Sequence, residues 1–193
     1  MGITNGSTNK GETPWNMETF TGDRVINLQT MGTDDISLED IAHSLSLTCR
    51  FNGHCRKFYS VAQHSCLVAS RLIDTHKAPT QAIQWGLMHD AAEAYLGDII
   101  RPIKKVMAEV FYPMENHLNA IIRIRFGISV IQSDYELVKT ADNKMLWTEK
   151  RDIMGDALWG APFVEPYANK IVPWSPGLAE KRFLQLAERI GIK

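Results

Sequence analysis

The sequence predicts an all-α protein, a single domain of about five to seven helices. Apolar residues recur at spacings of three and four over most of the chain beyond residue 37. Serine or threonine precedes several of these periodic stretches, and glycine follows several of them, as is typical of helix starts and ends. A chain of 193 residues is long enough to bury the core of one such domain.

The first part of the chain is predicted to lie outside the domain. Residues 1–16, MGITNGSTNKGETPWN, are polar and are interpreted as a flexible lead, so the domain is expected to cover residues 17–193. The lead lacks the basic and apolar regions of a signal peptide. Residues 17–36 are predicted to be irregular, with a short extended pair around residues 25–28.

Two helices are predicted from their capping residues. Ser37 precedes apolar positions at helical spacing, and Asp40 stands where an N3 carboxylate stabilises a helix start. Ser60 and Gln63 form a capping box that opens a second helix, predicted to end near residue 73.

The middle of the chain predicts two more helices. Thr80 begins a helix that is apolar on nearly every side, which indicates a central buried element ending at Gly97. The segment that begins at Gly97, GDIIRPIK (97–104), is expected to be a loop. A fourth helix is predicted from Pro113 to Phe126, with Gly127 as its stop.

The last third of the chain predicts two helices separated by a loop. Ser133 and Glu136 are interpreted as the cap of a fifth helix. Residues 160–174 contain three prolines and are predicted to be a surface loop. Ser175 and Pro176 then start a final amphipathic helix, which Gly191 ends. The tryptophans at positions 85, 147 and 159 are interpreted as core or interface residues.

Composition and charge exclude several classes of function. The net charge is −1, so neither the overall charge nor any motif predicts stable nucleic-acid binding. No segment has the uninterrupted apolar length of a membrane span. The three cysteines form no CxxC pair, which favours reduced thiols and a cytoplasmic protein.

The stretch GLMHDAAEAYLGD, residues 86–98, places ionisable groups within a strongly apolar segment. Burying an unpaired charge is costly, and a shared metal ion would remove that cost. His64 and Asp142 lie on the apolar faces of two other predicted helices, so three helices would bring His64, His89, Asp90 and Asp142 to one centre. Two imidazoles and two carboxylates suit a divalent transition ion, which would generate hydroxide from a bound water near neutral pH. The alternative for each histidine is a hydrogen-bonded core residue.

These residues resemble the H…HD…D signature of the HD-domain metal-dependent phosphohydrolases. The similarity is greatest to the YfbR-like 5′-deoxynucleotidases and to related compact phage enzymes, which include dATP triphosphohydrolases. It covers roughly residues 37–150, the predicted motif core. It is carried by RFNGHCRKFYSVAQH (50–64), MHDAAEAYLGDIIRPIK (88–104) and KTADN (139–143).

The resemblance implies the fold of a single HD-domain helical bundle and a role for each matching residue. The implied metal ligands are His64, His89, Asp90 and Asp142. Glu93 would handle a proton, and Asp98 would orient the attacking water or the leaving oxygen. The native ion is left open among Co, Mn, Zn, Fe and Mg, because such a donor set accepts all of them.

The resemblance also implies substrate contacts. Arg50 and Lys104 would hold phosphate, and His54 would contact the phosphates or the sugar. Phe51 stands where the cellular deoxynucleotidases have a tryptophan that is thought to block the ribose 2′-hydroxyl, so selectivity for deoxynucleotides is implied less strongly. The interval between Asp90 and Asp142 is shorter than in those cellular enzymes, which favours the compact phage group.

The sequence therefore predicts a divalent-metal phosphohydrolase that acts on nucleoside 5′-phosphates, with purine deoxynucleotides such as dATP favoured. Release of one phosphate and release of the whole triphosphate both stay open. The alternative is a nucleotide-binding regulatory HD module with weak catalysis. Hydrolysis of guanosine tetraphosphate or of a cyclic dinucleotide is a third reading, and it is disfavoured because the additional signatures of those enzymes are missing. A homo-oligomer is expected from the resemblance.

Overall fold

The computed structural model of the protein describes residues 16–22, 25–74, 77–156, 159–160 and 162–193. Nearly all of the lead predicted at residues 1–16 lies outside the described residues. The described part is mostly helical, with seven α-helices of six residues or more and one two-stranded sheet. The prediction of a helical protein is therefore confirmed.

The elements follow one another in chain order. The two strands are β1 (Asn16–Glu18) and β2 (Val25–Asn27). The first four helices are α1 (Leu38–Leu47), α2 (Val61–Asp74), α3 (Thr80–Met88) and the single turn α4 (Glu93–Leu96). The remaining helices are α5 (Arg101–Val106), α6 (Ala108–Arg125), α7 (Gln132–Asp152) and α8 (Pro176–Arg189).

The extended segment expected around residues 25–28 is confirmed by β2, but its partner β1 lies at Asn16–Glu18, where the sequence predicts the end of the lead and irregular chain. Strands β1 and β2 are antiparallel, and Met17 pairs with Ile26, whose side chain enters the core. The turn between the strands is attached to α1, because the backbone N–H of Thr21 donates to Oδ1 of Asp40 over 2.9 Å. Asp40 thus serves both the hairpin and the first helix.

Helix α2 is the centre of the packing. It contacts α1, α3, α7 and α8, and most of its side chains are buried. Gly86 lets α3 approach it closely, since a Cβ built at Gly86 would lie 2.3 Å from Cδ1 of Leu72. His64 of α2 is fully buried in this packing.

The predicted third helix is too long, because α3 ends at Met88 rather than continuing to Gly97. The imidazole Nδ1 of His89 bonds to the carbonyl oxygen of Gly86 over 2.9 Å, where it competes with the backbone for that acceptor. The next amides form tighter bonds to the third preceding residue, beginning with Ala91 N–H to Met88 O at 2.9 Å. Gly97, with φ 78°, ends the short α4 that follows.

Three further boundaries differ from the prediction. The expected GDIIRPIK loop contains α5, and α6 begins at Ala108, so Pro113 lies inside a helix. Pro113 removes one backbone hydrogen bond, and the turn before it is helical all the same. Helix α7 is capped by Asp134, whose carboxylate accepts from the N–H of Ile131 over 3.0 Å, rather than by Ser133.

Several predicted helix starts are confirmed. The hydroxyls of Ser37 and Ser60 accept backbone N–H bonds three residues on, at 3.2 and 3.1 Å. The side chain of Gln63 does not complete a capping box, because it donates to the carbonyl of Val172 instead. Ser175 caps α8 as predicted.

The predicted surface loop at residues 160–174 has neither helix nor strand at its described positions. Among the described residues, no helix combines the length and the hydropathy that crossing a bilayer requires.

Candidate metal centre and adjoining cavity

His64, His89 and Asp90 come together where α2 meets the turn after α3. The two imidazole Nε2 atoms are 3.4 Å apart. Oδ2 of Asp90 lies 3.6 Å from Nε2 of His64, and Oδ1 lies 3.4 Å from Nε2 of His89. The ligand atoms of these three residues all lie within 4.8 Å of one another, which is close enough to bind a metal ion.

The separations fit the donor set of a transition metal. Two atoms at about 2.1 Å from one tetrahedral ion are about 3.4 Å apart. Asp142 approaches the same place from α7, with Oδ1 at 3.5 Å from Nε2 of His64. Its other oxygen contacts Lys139 at 3.2 Å and Arg101 at 3.8 Å. The structure thus groups three of the four predicted ligands, His64, His89 and Asp90, and places the fourth, Asp142, in contact with His64.

Hydrogen bonds orient both imidazoles. A carbonyl oxygen only accepts, so Nδ1 of His89 carries the proton that it donates to Gly86. Nδ1 of His64 lies 2.6 Å from Oε1 of Glu149, and it likewise donates to that carboxylate. In the neutral tautomers the lone pairs of both Nε2 atoms therefore face the same point, which is the arrangement that metal-binding histidines require.

Glu149 is a site residue that the sequence did not reveal. It is fully buried on α7, where it also accepts from Tyr59 Oη at 2.9 Å and Arg50 Nη2 at 3.1 Å. Burial would raise the pKa of Glu149, but Arg50 and His64 hold it below its usual range. Its spacing was the available signal, because Glu149 follows Asp142 by seven residues and lies on the same helix face.

The electrostatics of the cluster favour a positive charge at its centre. Burial and Arg50 would lower the pKa of His64, but Glu149 and the hydrogen bond to Asp142 raise it to about 9. Burial would raise the pKa of Asp142, yet His64 holds it well below its usual range. The pKa of Asp90 is also lowered, by His89, His64 and Arg50 against the effect of burial. These carboxylates are therefore ionised and available to a cation.

A cavity of about 480 Å³ adjoins the cluster. It is lined by all six residues that the sequence predicts as catalytic or substrate-binding, namely Arg50, Phe51, His54, Glu93, Asp98 and Lys104. Its volume lies in the range of small-molecule sites. Arg50 connects the cavity to the cluster, since its Nη1 is 3.3 Å from Oδ2 of Asp90.

Glu93 is the buried acid of this cavity. Its Oε1 accepts from Nζ of Lys104 over 3.2 Å, while Oε2 is buried and has no hydrogen-bond partner among the described residues. Burial raises the pKa of Glu93 well above its usual value, and the charges of Asp90 and Asp98 raise it further. A raised pKa favours the protonated form of the carboxyl, which is the form that a general acid needs.

Asp98 holds the backbone of the turn that carries Arg50 and Phe51. Its Oδ2 accepts from the N–H of Phe51 over 2.9 Å. The turn needs this support because Phe51, Asn52 and Gly53 are all left-handed, with φ of 59°, 51° and 77°. Asp98, which the sequence predicts to orient the attacking water or the leaving oxygen, therefore anchors this loop in the structure.

The predicted phosphate contacts are already engaged in ion pairs. Arg50 is buried between Asp90 and Glu149, and Lys104 contacts Glu115 at 2.8 Å as well as Glu93. His54 is exposed at the rim of the cavity. The cationic side chains of Arg50 and Lys104 thus line the cavity, and the carboxylates paired with them hold them in position.

An aromatic cluster closes another side of the cavity. The rings of Phe51 and Trp159 have centroids 6.0 Å apart, and Trp147 packs edge-on against Trp159 and Phe163 at 6.3 and 5.7 Å. Trp159 lines the cavity and is 43 % exposed, so of the two interpretations, core or interface, the core one is wrong for this residue. Its signal was hidden because it stands outside the segment that resembles known enzymes.

Comparisons with known proteins give two relatives of similar length. The uncharacterized protein YfdR of Escherichia coli (strain K12) is 38 % identical over 175 residues, which cover 88 % of this chain and 92 % of that protein. An uncharacterized protein of Rhodobacter capsulatus is 33 % identical over 141 residues, which cover 66 % of this chain and 71 % of the relative. No family model matches the chain.

Proposed function

We propose that this chain, which belongs to the same family as the uncharacterized Escherichia coli protein YfdR, is a metal-dependent phosphohydrolase of the HD-domain type. The substrates proposed are deoxynucleoside 5′-phosphates, with purines such as dATP favoured. The observation that carries the proposal is the cluster of His64, His89 and Asp90 beside a cavity that holds Arg50 and Glu93. Both assemblies are needed for hydrolysis of a phosphate ester.

The residues of the cluster fit a divalent ion. The Nε2 atoms of His64 and His89 and the ionised Asp90 lie at ligand spacing, and Asp142 contacts Nε2 of His64 at 3.5 Å. A bound ion would supply a Lewis acid for the phosphoryl oxygen and would activate water at neutral pH. Imidazole and carboxylate donors accept Co, Mn, Zn, Fe and Mg, and cellular supply commonly selects among such ions.

The cavity residues supply the other requirements of phosphoryl transfer. Arg50 carries a positive charge between the cluster and the cavity, where it would neutralise the phosphoryl oxygens. Glu93, whose pKa burial raises well above its usual value, would donate a proton to the leaving oxygen. Asp98 would keep the Arg50 turn in its left-handed form while substrate binds.

The substrate class is supported by the walls of the cavity. Phe51 lies next to Arg50, where its ring would contact the sugar and disfavour a 2′-hydroxyl. Arg101 and Lys104 line the same cavity and would extend the contact to further phosphates. Arg56 is less suited to that role, because it is not among the residues that line this cavity and it pairs with the exposed Asp156 at 2.7 Å. Hydrolysis at the α-phosphate, with release of tripolyphosphate, is consistent with this arrangement of cations.

A nucleotide panel tests the proposal. Purified protein, stripped with EDTA and reloaded with Mn²⁺, Co²⁺ or Zn²⁺, is incubated with ribo- and deoxynucleoside mono-, di- and triphosphates. Ion chromatography then distinguishes phosphate from tripolyphosphate. We expect metal-dependent release from deoxynucleotides. Tight nucleotide binding with no product under any metal would instead support the regulatory HD module. If the protein shows neither nucleotide binding nor product, the phosphohydrolase and the regulatory module are both excluded.

A further inference from the structure

Trp159 forms one wall of the cavity that holds Arg50 and Glu93. We propose that the indole of Trp159 is the surface on which the base of the bound nucleotide stacks. This inference rests on the proposed function and adds to it a residue that distinguishes nucleotides from other phosphate esters.

The lining of the cavity combines two kinds of side chain. The charged ones are Arg50, Glu93, Asp98, Arg101 and Lys104. The apolar ones are Ile99, Ile100, Pro102, Leu146, Met154 and Trp159. A nucleotide likewise combines anionic phosphates with a flat base that has apolar faces. Inorganic phosphate or a sugar phosphate would leave the apolar side chains in contact with water.

The ring of Trp159 is supported by its neighbours but is not covered by them. Nζ of Lys150 lies 5.4 Å from the ring centroid, Trp147 packs edge-on, and Phe51 is tilted by 57°. With 43 % of the residue exposed, part of the indole remains open toward the cavity. A ring with a fixed orientation loses little entropy when a base stacks on it.

Arg50 and Phe51 connect the metal cluster to Trp159. The guanidinium of Arg50 contacts Asp90 of the metal cluster and lies 5.2 Å from the centroid of the Phe51 ring. Phe51 in turn neighbours Trp159. The order from cluster to guanidinium to Phe51 to Trp159 follows that of α-phosphate, sugar and base in a nucleotide. Sugar recognition by Phe51 and base recognition by Trp159 are therefore compatible in a single pose.

The test compares ligands with and without a base. Titration calorimetry in EDTA measures binding of dAMP and of deoxyribose 5-phosphate to the wild type, Trp159→Ala and Trp159→Phe. The matched control is Trp174→Ala. Cζ of Arg182 lies 4.2 Å from the centroid of the Trp174 ring, and Trp174 does not line this cavity. We expect the base to strengthen binding about ten- to a hundredfold in the wild type and in the control.

The variants should separate base recognition from folding. Trp159→Ala should lose most of the affinity that dAMP gains over deoxyribose 5-phosphate, and its affinity for deoxyribose 5-phosphate should not change. Trp159→Phe should retain most of that gain in affinity. If Trp159→Ala keeps the full preference for dAMP, the inference is overturned, and hydrolysis of deoxynucleotides by the metal-loaded wild type would leave the proposed function standing. If the wild type neither binds nor hydrolyses nucleotides, the proposed function fails as well.

Discussion

His64 and Glu149 form the shortest link between the candidate metal centre and the core, with Nδ1 and Oε1 2.6 Å apart. Both side chains are fully buried, and they join α2 to α7. A carboxylate behind a ligating imidazole fixes its tautomer and makes its other nitrogen a stronger donor. Glu149 contacts Arg50 as well, so one carboxylate orients a predicted metal ligand and a predicted phosphate contact.

Glu149→Gln should weaken metal binding about ten- to a hundredfold, because the amide no longer holds His64 by charge. It should also destabilise the fold by about 3–5 kcal/mol, since Arg50 loses a buried counter-ion. Competition with a chromophoric chelator and urea unfolding measure the two effects. Tyr59→Phe is the control, because it removes a neutral donor to the same carboxylate and should cost about 1 kcal/mol with metal affinity unchanged. Wild-type metal affinity in Glu149→Gln would contradict this role.

His89→Ala should abolish stoichiometric metal binding. It removes one of the two Nε2 donors, and a smaller loss of stability is expected than at the fully buried His64. The measurement is metal content by mass spectrometry after dialysis against a fixed free concentration. His117→Ala on the exposed side of α6 is the matched control and should retain metal. Equal metal content in both variants would mean that this cluster is not the metal site.

The helix starts could be predicted because capping is local chemistry. Ser37, Ser60 and Ser175 each accept an N–H within their own turn, and sequence alone shows such pairs. The end of α3 could not be predicted in the same way. It depends on the imidazole of His89 reaching back to a carbonyl, a choice set by the three-dimensional cluster rather than by propensity.

The candidate site was predictable only where its residues form a pattern along the chain. His89 and Asp90 are adjacent, and His64 and Asp142 lie on helix faces that periodicity reveals. Glu149 was missed because recognising it requires knowing that α7 runs unbroken to Asp152. Trp159 was missed for a different reason, since it follows the last helix of the motif core and no periodicity constrains it.

Gly86→Ala should destabilise the protein by about 1–3 kcal/mol, because the added methyl overlaps Leu72 where α2 and α3 pack. Gly177→Ala, where nothing lies within 4 Å of the added carbon, is the control and should be neutral or slightly stabilising. Urea unfolding of both variants measures the difference. Equal stability would show that the two helices are packed less closely than the geometry indicates.

Asp98→Ala and Asp98→Asn should separate positioning from charge. Alanine removes the acceptor of the Phe51 N–H, so the left-handed turn should loosen and KM should rise. Asparagine keeps an acceptor oxygen, so it should preserve KM if anchoring is the main role. A fall in kcat for both variants with unchanged KM would instead favour the predicted catalytic role, in which the carboxylate charge orients water or the leaving oxygen. Steady-state kinetics on the best nucleotide of the panel decide between them.

Glu93→Gln should change how stability depends on pH. At low pH the carboxyl is protonated in both the folded and the unfolded states. As pH rises above the ordinary value of 4.5, the unfolded state ionises first, because burial keeps the folded pKa well above that value. Folding stability is therefore lost as pH rises toward the folded pKa, by about 1.4 kcal/mol for each unit of elevation.

Glutamine cannot ionise, so the variant should match the wild type near pH 4 and exceed it in stability at pH 8. Urea unfolding in EDTA across this range measures the difference curve, in which the titrations shared by both proteins cancel. Glu115→Gln is a useful comparison, because it contacts the same Lys104 without lining the cavity. A flat curve for Glu93→Gln would show that Glu93 is ionised when buried. Such a carboxylate would have no proton to give to a leaving oxygen.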